Sequence, residues 1–359
     1  MRVALAHDYL TQRGGAERVT LELCRAFPDA PLFTSVYQPD QTFAGFADVD
    51  VRTSWLQKVP VLRSDPRLAL PLLPFVWDRK SAEQFDVVLA SSSGWAHGVD
   101  LGTAAKVVYC HNPARWLYQA DDYFASDRVA RLFHRGSSGL RRWDRRQAGT
   151  ATTYVANSSV VQQRIQDQYG LASELLFPPV SSHLAHGPAQ APTGVQPGFW
   201  LTVARGRGYK NVELIRAAFD TMPDQRLVVV GGRADDDTGA AGNITALGVV
   251  AEPELRWLYR HARALVTVAH EDFGLTPIEA NSCGTPVLAL RAGGHLDTVR
   301  EGVSGWWIEQ ESIDCIRESV ESFVDIDPSV VAAHAEGFSV ENFVTRLESI
   351  VQNAARSAV

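Results

Sequence analysis

Glu271 and Glu279 bracket the segment EDFGLTPIE, which directly follows the apolar run LVTVAH. A strand leading into a helix here places Gly274 at a tight turn. It also places Pro277 in the first turn of the helix, where its missing N–H costs nothing. The amides of Gly274, Leu275 and Thr276 then lack intrahelical partners and suit a phosphate. A carboxylate at each end can accept hydrogen bonds from sugar hydroxyls. The plainer alternative is two solvated glutamates beside an ordinary turn. Arg205 and Lys210, in VARGRGYKN, flank a glycine-opened loop after a second apolar run, FWLTVA. Two fixed cations at the carboxyl end of a strand suit a diphosphate. The alternative is a basic surface loop, which is the reading for Arg207. His111 follows the run KVVYC and precedes Asn112 and Pro113. It can hydrogen-bond a sugar or phosphate oxygen or move a proton near neutral pH, unless it is a satisfied core histidine.

Asp121-Asp122 and Asp235-Asp236-Asp237 have the form of metal-binding acidic pairs. Charge runs of this kind usually sit in solvated loops, so no metal site is assigned. Arginines 128, 131, 135, 141, 142, 145 and 146 alternate with Val129, Leu132, Phe133, Leu140 and Trp143. Such a basic amphipathic stretch can lie on an anionic membrane, or pack its apolar side while its charges are solvated. The run LALPLLPFVW at 68–77 reads as a buried segment, with the lining of a lipid-linked acceptor site as its alternative.

Short β-rich runs alternate with helical stretches to position these groups. In the first half the strands are 2–7, 32–37, 49–55, 85–91, 106–110 and 152–156, with a helix over 16–27. In the second they are 199–204, 226–230, 244–250, 265–269, 287–290 and 305–308, with helices at 211–222, 253–261 and 276–282. Strand–helix alternation implies parallel sheets covered on both faces, with ligands at the carboxyl ends of the strands. Ser181–Gly198, rich in proline and glycine, reads as a linker. The expected plan is an α/β domain over 1–180, the linker 181–198, a second α/β domain over 199–338, and an amphipathic helix over 339–357.

With 359 residues, two domains can each bury a core without staples. Lys plus Arg is 34 and Asp plus Glu is 41, a net charge of -7, which speaks against general nucleic-acid binding. Cys24, Cys110, Cys283 and Cys315 form no CxxC pair and match no zinc spacing, consistent with a reducing compartment. Asp8 interrupts the opening apolar run, which argues against a signal peptide, and no run is long enough to cross a membrane. The expected location is cytoplasmic, with peripheral contact through 128–146 open.

Taken together, these motifs resemble the retaining glycosyltransferases of family 4. The E-x7-E segment at Glu271–Glu279 and the Arg205/Lys210 pair carry the resemblance. So do HDYLTQRGGAERV at 7–19, YCHNPARWLY at 109–118, VANSS at 155–159, FPPV at 177–180 and ALGVV at 246–250. CHNPARWLY and LPLLPFVW are most similar to bacterial O-antigen mannosyltransferases. The resemblance implies a GT-B fold, two Rossmann-like doubly wound domains facing each other across a cleft. It implies hexose transfer from a nucleotide-sugar, GDP-mannose favoured and a UDP-sugar possible, to a glycan or lipid-linked acceptor in cell-surface polysaccharide synthesis, with no further cofactor. Glu271 would bind the donor sugar, Glu279 the ribose, Arg205 and Lys210 the diphosphate, and Gly274, Leu275 and Thr276 the phosphate and sugar through their amides. His111 would sit over the sugar. Gly14 and Gly15 would form a loop near the diphosphate, Gly248 and Val249 would line the base pocket, and Arg115 and Trp116 would face the acceptor. Catalytic work would fall to His111, Arg205, Lys210 and Glu271. Two departures, Gly206 after Arg205 and the lack of aromatic or basic residues in ALGVV, leave the base open. Other readings are an epimerase or a non-catalytic nucleotide-sugar binding protein of the same fold. A pyridoxal phosphate enzyme is disfavoured, because no lysine follows Lys210.

Overall fold

The computed structural model describes residues 1–64, 68–69, 72–77, 84–119, 137–180, 184–203, 211–232, 239 and 242–357. Arg205, Lys210, both acidic runs and arginines 128, 131 and 135 lie outside the described residues. The chain divides into two units, Met1–Pro178 with Phe343–Val359, and Pro179–Asn342.

In the first unit the described strands are β1 (Val3–His7), β2 (Leu32–Thr34), β3 (Val51–Thr53), β4 (Val87–Ser92), β5 (Ala105–Cys110), β6 (Thr153–Ala156) and β7 (Glu174–Leu175). They form one parallel sheet in the order β3-β2-β1-β4-β5-β6-β7. β1, β4 and β5 are buried along their whole length, as a parallel sheet covered on both faces requires. On one face Leu5, Leu89, Val107 and Tyr109 pack under the helix Gly15–Ala26 and the helix Val340–Ser357. On the other, Ala6, Ala90, Val108 and Cys110 pack with Trp95 and Trp116.

The second unit contains β8 (Phe199–Val203), β9 (Leu227–Val230), β10 (Ile244–Gly248), β11 (Ala262–Thr267), β12 (Val287–Leu290) and β13 (Gly305–Ile308). Its order, β10-β9-β8-β11-β12-β13, repeats the progression of the first sheet, and all its pairings are parallel. The direction of winding reverses between β1 and β4, and again between β8 and β11. The carboxyl ends of those strand pairs are where an open α/β sheet leaves room for a ligand.

The structure departs from the sequence expectations in three places, and the described part of the arginine-rich stretch follows the packed alternative. The strands expected over 32–37 and 49–55 are shorter, because Val36 and Leu56 are buried from loop and 3₁₀ segments rather than from the sheet. The short edge strand β7 has too few residues for any periodicity and has no counterpart among the expected strands. Within the expected linker, Leu184 and Val195 pack in the core of the second unit beside Phe199, and Gln190 N–H donates to the Pro253 carbonyl over 3.1 Å. In the arginine-rich stretch, the helix Ser138–Ala148 turns Asp144 fully inward, where it accepts a hydrogen bond from Tyr118 over 2.8 Å. Arg142, Arg145 and Arg146 of that helix are exposed.

Candidate functional site

In the second unit, β8 and β11 are direct neighbours. The segment with Arg205 and Lys210 follows β8 in sequence and lies outside the described residues. The description resumes at Asn211, whose φ of 48° is left-handed although it is not glycine. Asparagine tolerates this region better than most residues, and such strain concentrates at functional sites. Asn211 N-caps the helix Val212–Asp220, and its amide donates to Glu311 Oε1 over 3.3 Å. The same oxygen lies 2.8 Å from His270 Nε2. Glu311 therefore ties the start of that helix to the segment that follows β11. The sequence analysis did not single it out, because forty residues separate it from His270 and only the sheet order brings the two together.

After β11 the chain runs through Glu271 to Gly274, which has φ +88° and N-caps the helix Leu275–Ser282. The first amides of that helix have no intrahelical acceptors. Glu279 sits on the same helix, half-buried, and Tyr259 OH donates to its Oε2 over 3.2 Å. The turn is held from below by a segment the sequence analysis missed. Gly294 N–H donates to the Glu271 carbonyl over 2.8 Å. A Cβ on Gly293 would lie 2.6 Å from the Glu271 carbonyl oxygen, and one on Gly294 would lie 2.3 Å from Phe273 Cα. Both positions therefore need glycine for close backbone approach. His295 is fully buried next to Gly274, and its Nδ1 lies 3.2 Å from the Leu290 carbonyl oxygen. Gly248 ends β10 with φ +65°, its carbonyl accepting from Gly231 N–H over 2.6 Å, and Val249 beyond it is 86% exposed.

In the first unit, Gly14 N-caps the helix Gly15–Ala26 with φ −98°, an ordinary extended conformation. The space where its Cβ would lie is taken by the carboxylate end of the Glu17 side chain. Asp8, next to β1, accepts backbone N–H bonds from Ser93 at 2.6 Å, Trp95 at 3.0 Å and Ala96 at 2.6 Å. It fixes the loop after β4 in the way an N-cap carboxylate would. His111 lies just beyond β5 and is buried, with its Nε2 2.8 Å from Ser91 Oγ. Burial and then the charge of His7 push its ring down to about 3. For His7 burial also pushes down, but the contact and charge of Glu17, the charge of Asp8 and the Ser91 backbone together outweigh it and raise the ring above its ordinary value.

Trp116 is corrected here. It is 3% exposed and packs edge-on against Trp95 at 6.5 Å, so it is a core residue and offers no face to a soluble glycan. Its neighbour Arg115 is half-buried at the start of the short helix Arg115–Tyr118. Among the described residues no cluster of three or more His, Cys, Asp or Glu side chains could hold a metal ion. No described helix is long and apolar enough to cross a membrane.

Residues 13–177 match the family model described as Glycosyltransferase Family 4, and residues 189–337 match that described as Glycosyl transferases group 1. A curated relative, D-inositol 3-phosphate glycosyltransferase of Mycolicibacterium paratuberculosis, is 27% identical over 175 residues, 43% of this chain and 40% of its own length. The chain thus spans about two fifths of the length of the curated relatives it matches. Sucrose-phosphate synthase from Thermosynechococcus elongatus is 16% identical with a TM-score of 0.74, covering 99% of this chain and 100% of its own. HepE of Anabaena, in complex with UDP and glucose, is 19% identical with a TM-score of 0.71, covering 98% and 99%. At these identities the two structures establish the fold, which is that of the GT-B glycosyltransferases.

Proposed function

We propose, from the premise that this chain joins a glycosyltransferase family 4 domain to a glycosyl transferases group 1 domain, that it transfers a hexose from a nucleotide diphosphate sugar to a glycan or lipid-linked acceptor. The observation that carries this reading is the turn from Glu271 into the helix Leu275–Ser282, with left-handed Gly274 between and Glu279 along the helix. In this reading the amides of Gly274, Leu275 and Thr276 meet the phosphate and sugar, Glu271 the sugar hydroxyls and Glu279 the ribose. Arg205 and Lys210 bind the diphosphate and offset its charge as it leaves. Preorganised groups of that kind contribute roughly 3–4 kcal/mol each to the transition state. Gly14 and Gly15 form the loop near the diphosphate, Gly248 and Val249 border the base, His111 faces the sugar and Arg115 the acceptor. The acceptor attacks on the face that the diphosphate leaves, a phosphate oxygen takes its proton, and configuration is retained.

The donor we favour is GDP-mannose, from the resemblance of CHNPARWLY and LPLLPFVW to O-antigen mannosyltransferases. A UDP-hexose is the second reading, favoured by the UDP and glucose bound in HepE. The synthesis of cell-surface polysaccharide is the proposed setting, with contact between the basic stretch 128–146 and an anionic membrane part of it. Calorimetric titration with GDP, UDP and dTDP on the wild type and on Glu279→Ala tests the reading. Selective GDP binding that weakens in the variant supports GDP-mannose, and selective UDP binding moves the sugar to a UDP-hexose. Binding of none of the three overturns the donor site.

A further inference from the structure

On β1, β4 and β5 the apolar face under the helix Gly15–Ala26 ends in polar residues that touch one another. His7 closes β1 and Ser91 lies opposite it on β4. His111 lies just past β5, on the same side as Tyr109 by the alternation of a strand. Ser91 Oγ is 2.8 Å from His111 Nε2 and 3.1 Å from His7 Nδ1. Thr20 Oγ1 is 2.8 Å from Ser91 Oγ and 3.0 Å from His7 Nδ1. His7 Nδ1 also lies 3.1 Å from the Ser91 carbonyl oxygen, which only accepts, so Nδ1 carries a proton. On the other side of the ring, Nε2 is 3.9 Å from Glu17 Oε1.

Glu17 is as deeply buried as His7, each being 2% exposed. Its Oε1 accepts from Gln12 Nε2 over 2.9 Å. Its Oε2 has no hydrogen-bond partner among the described residues and occupies the space beside Gly14. A buried carboxylate with so few donors needs a nearby positive charge, and His7 is the ionisable ring within reach.

We propose that Glu17 is a positioning residue that holds His7 as an imidazolium and thereby keeps His111 neutral. The consequence for transfer rests on the reading above, that His111 faces the donor sugar. With one positive charge fixed on His7, a second on His111, separated from it by a single hydroxyl, is opposed by like-charge repulsion as well as by burial. The titratable groups facing His7 are Glu17 from the helix, Asp8 just beyond β1 and His111. Those facing His111 are His7 and Tyr109, whose ring meets it edge-on at 5.2 Å. His111 Nε2 is committed to Ser91, and its Nδ1 makes no hydrogen bond among the described residues. A neutral ring held in this way offers Nδ1 to a sugar hydroxyl without placing a cation beside the forming oxocarbenium centre.

The test is nitrogen-15 NMR of labelled histidines in the full chain, with His7→Gln and His111→Gln giving the assignments. In the wild type, the His7 midpoint lies above the ordinary 6.5 and the His111 ring stays neutral below pH 4. Glu17→Gln keeps the shape beside Gly14 but removes the charge. The His7 midpoint should then fall, and the His111 midpoint should rise by about one unit or more. His7→Gln should raise the His111 midpoint in the same direction with Glu17 intact. Unchanged midpoints in a folded Glu17→Gln variant overturn the proposal. Should that variant fail to fold, an unchanged His111 midpoint in His7→Gln overturns it equally. The acid limb of kcat in Glu17→Gln should move up with the His111 midpoint. A shifted midpoint with an unmoved kcat profile leaves the Glu17–His7–His111 coupling standing and removes His111 from the sugar.

Discussion

One glycine and one carboxylate show how single residues shape the proposed donor site. Gly294 has backbone of Phe273 where its Cβ would be, and backbone cannot swing aside as a side chain can. Gly294→Ala should therefore shift the Glu271 turn and destabilise the second unit by about 1–3 kcal/mol. Thermal unfolding together with nucleotide titration checks this, and the binding loss should exceed that of an exposed control such as Gly337→Ala, where an added Cβ meets nothing within 4 Å. Glu279, steadied by Tyr259, is the group proposed to hold the ribose. Replacing a charged hydrogen-bond partner costs about 1.5–3 kcal/mol, so Glu279→Gln should weaken nucleotide binding roughly 10–100-fold in a calorimetric titration. An unchanged affinity would remove Glu279 from the ribose.

At the scale of elements, the ends of β1 and β5 couple stability to pH through two histidines with opposite shifts. The unfolded ring takes up its proton near 6.5, while folded His111 resists until about 3. Between those values the unfolded state binds more protons, so stability falls on acidification by up to about 1.4 kcal/mol per pH unit. His7 is raised instead. Its contribution is complete below the ordinary value of 6.5 and is lost as pH rises through its folded value. Urea unfolding at several pH values should show His111→Gln flattening the acid limb and His7→Gln flattening the limb above 6.5. Equal slopes in wild type and variants would mean that these rings titrate alike folded and unfolded.

For the molecule as a whole, the helix Val340–Ser357 matters most, because its residues from Phe343 onward belong to the first unit although they follow the whole of the second in sequence. Phe343, Leu347, Ile350 and Val351 share a core with Leu5, Val87 and Tyr109, and Phe343 meets the Tyr109 ring edge-on at 5.6 Å. Fully burying such side chains contributes about 1.5–3 kcal/mol each. Leu347→Asp, at a fully buried position, should destabilise the first unit by more than about 3 kcal/mol. Hydrogen exchange should locate the loss in β1, β4 and β5 and leave the strands β8 to β13 protected. Uniform loss over both units would show that they unfold as one.

Much of this protein is legible in the order of its residues. Runs such as VLAL at 287–290 and GWWI at 305–308 became strands over those same residues, since buried parallel strands are apolar throughout and glycine or proline marks their ends. The helix after Gly274 and the amphipathic C-terminal helix follow from spacing and turn chemistry, which are local. Long-range contact decided the rest. Glu17 reads in sequence as a first-turn acid on an amphipathic helix, and only the packing of that helix over β1 turns it inward to His7. The glycines at 293 and 294 carry no motif in the sequence, because only the adjacency of β11 and β12 brings them against Glu271. Trp116 is expected from the resemblance to face an acceptor, and only the loop fixed by Asp8 encloses it. Local preference acts over a few residues along the chain. A buried charge, a close backbone approach or an enclosed ring depends on what lies across the sheet, and strand order alone sets that.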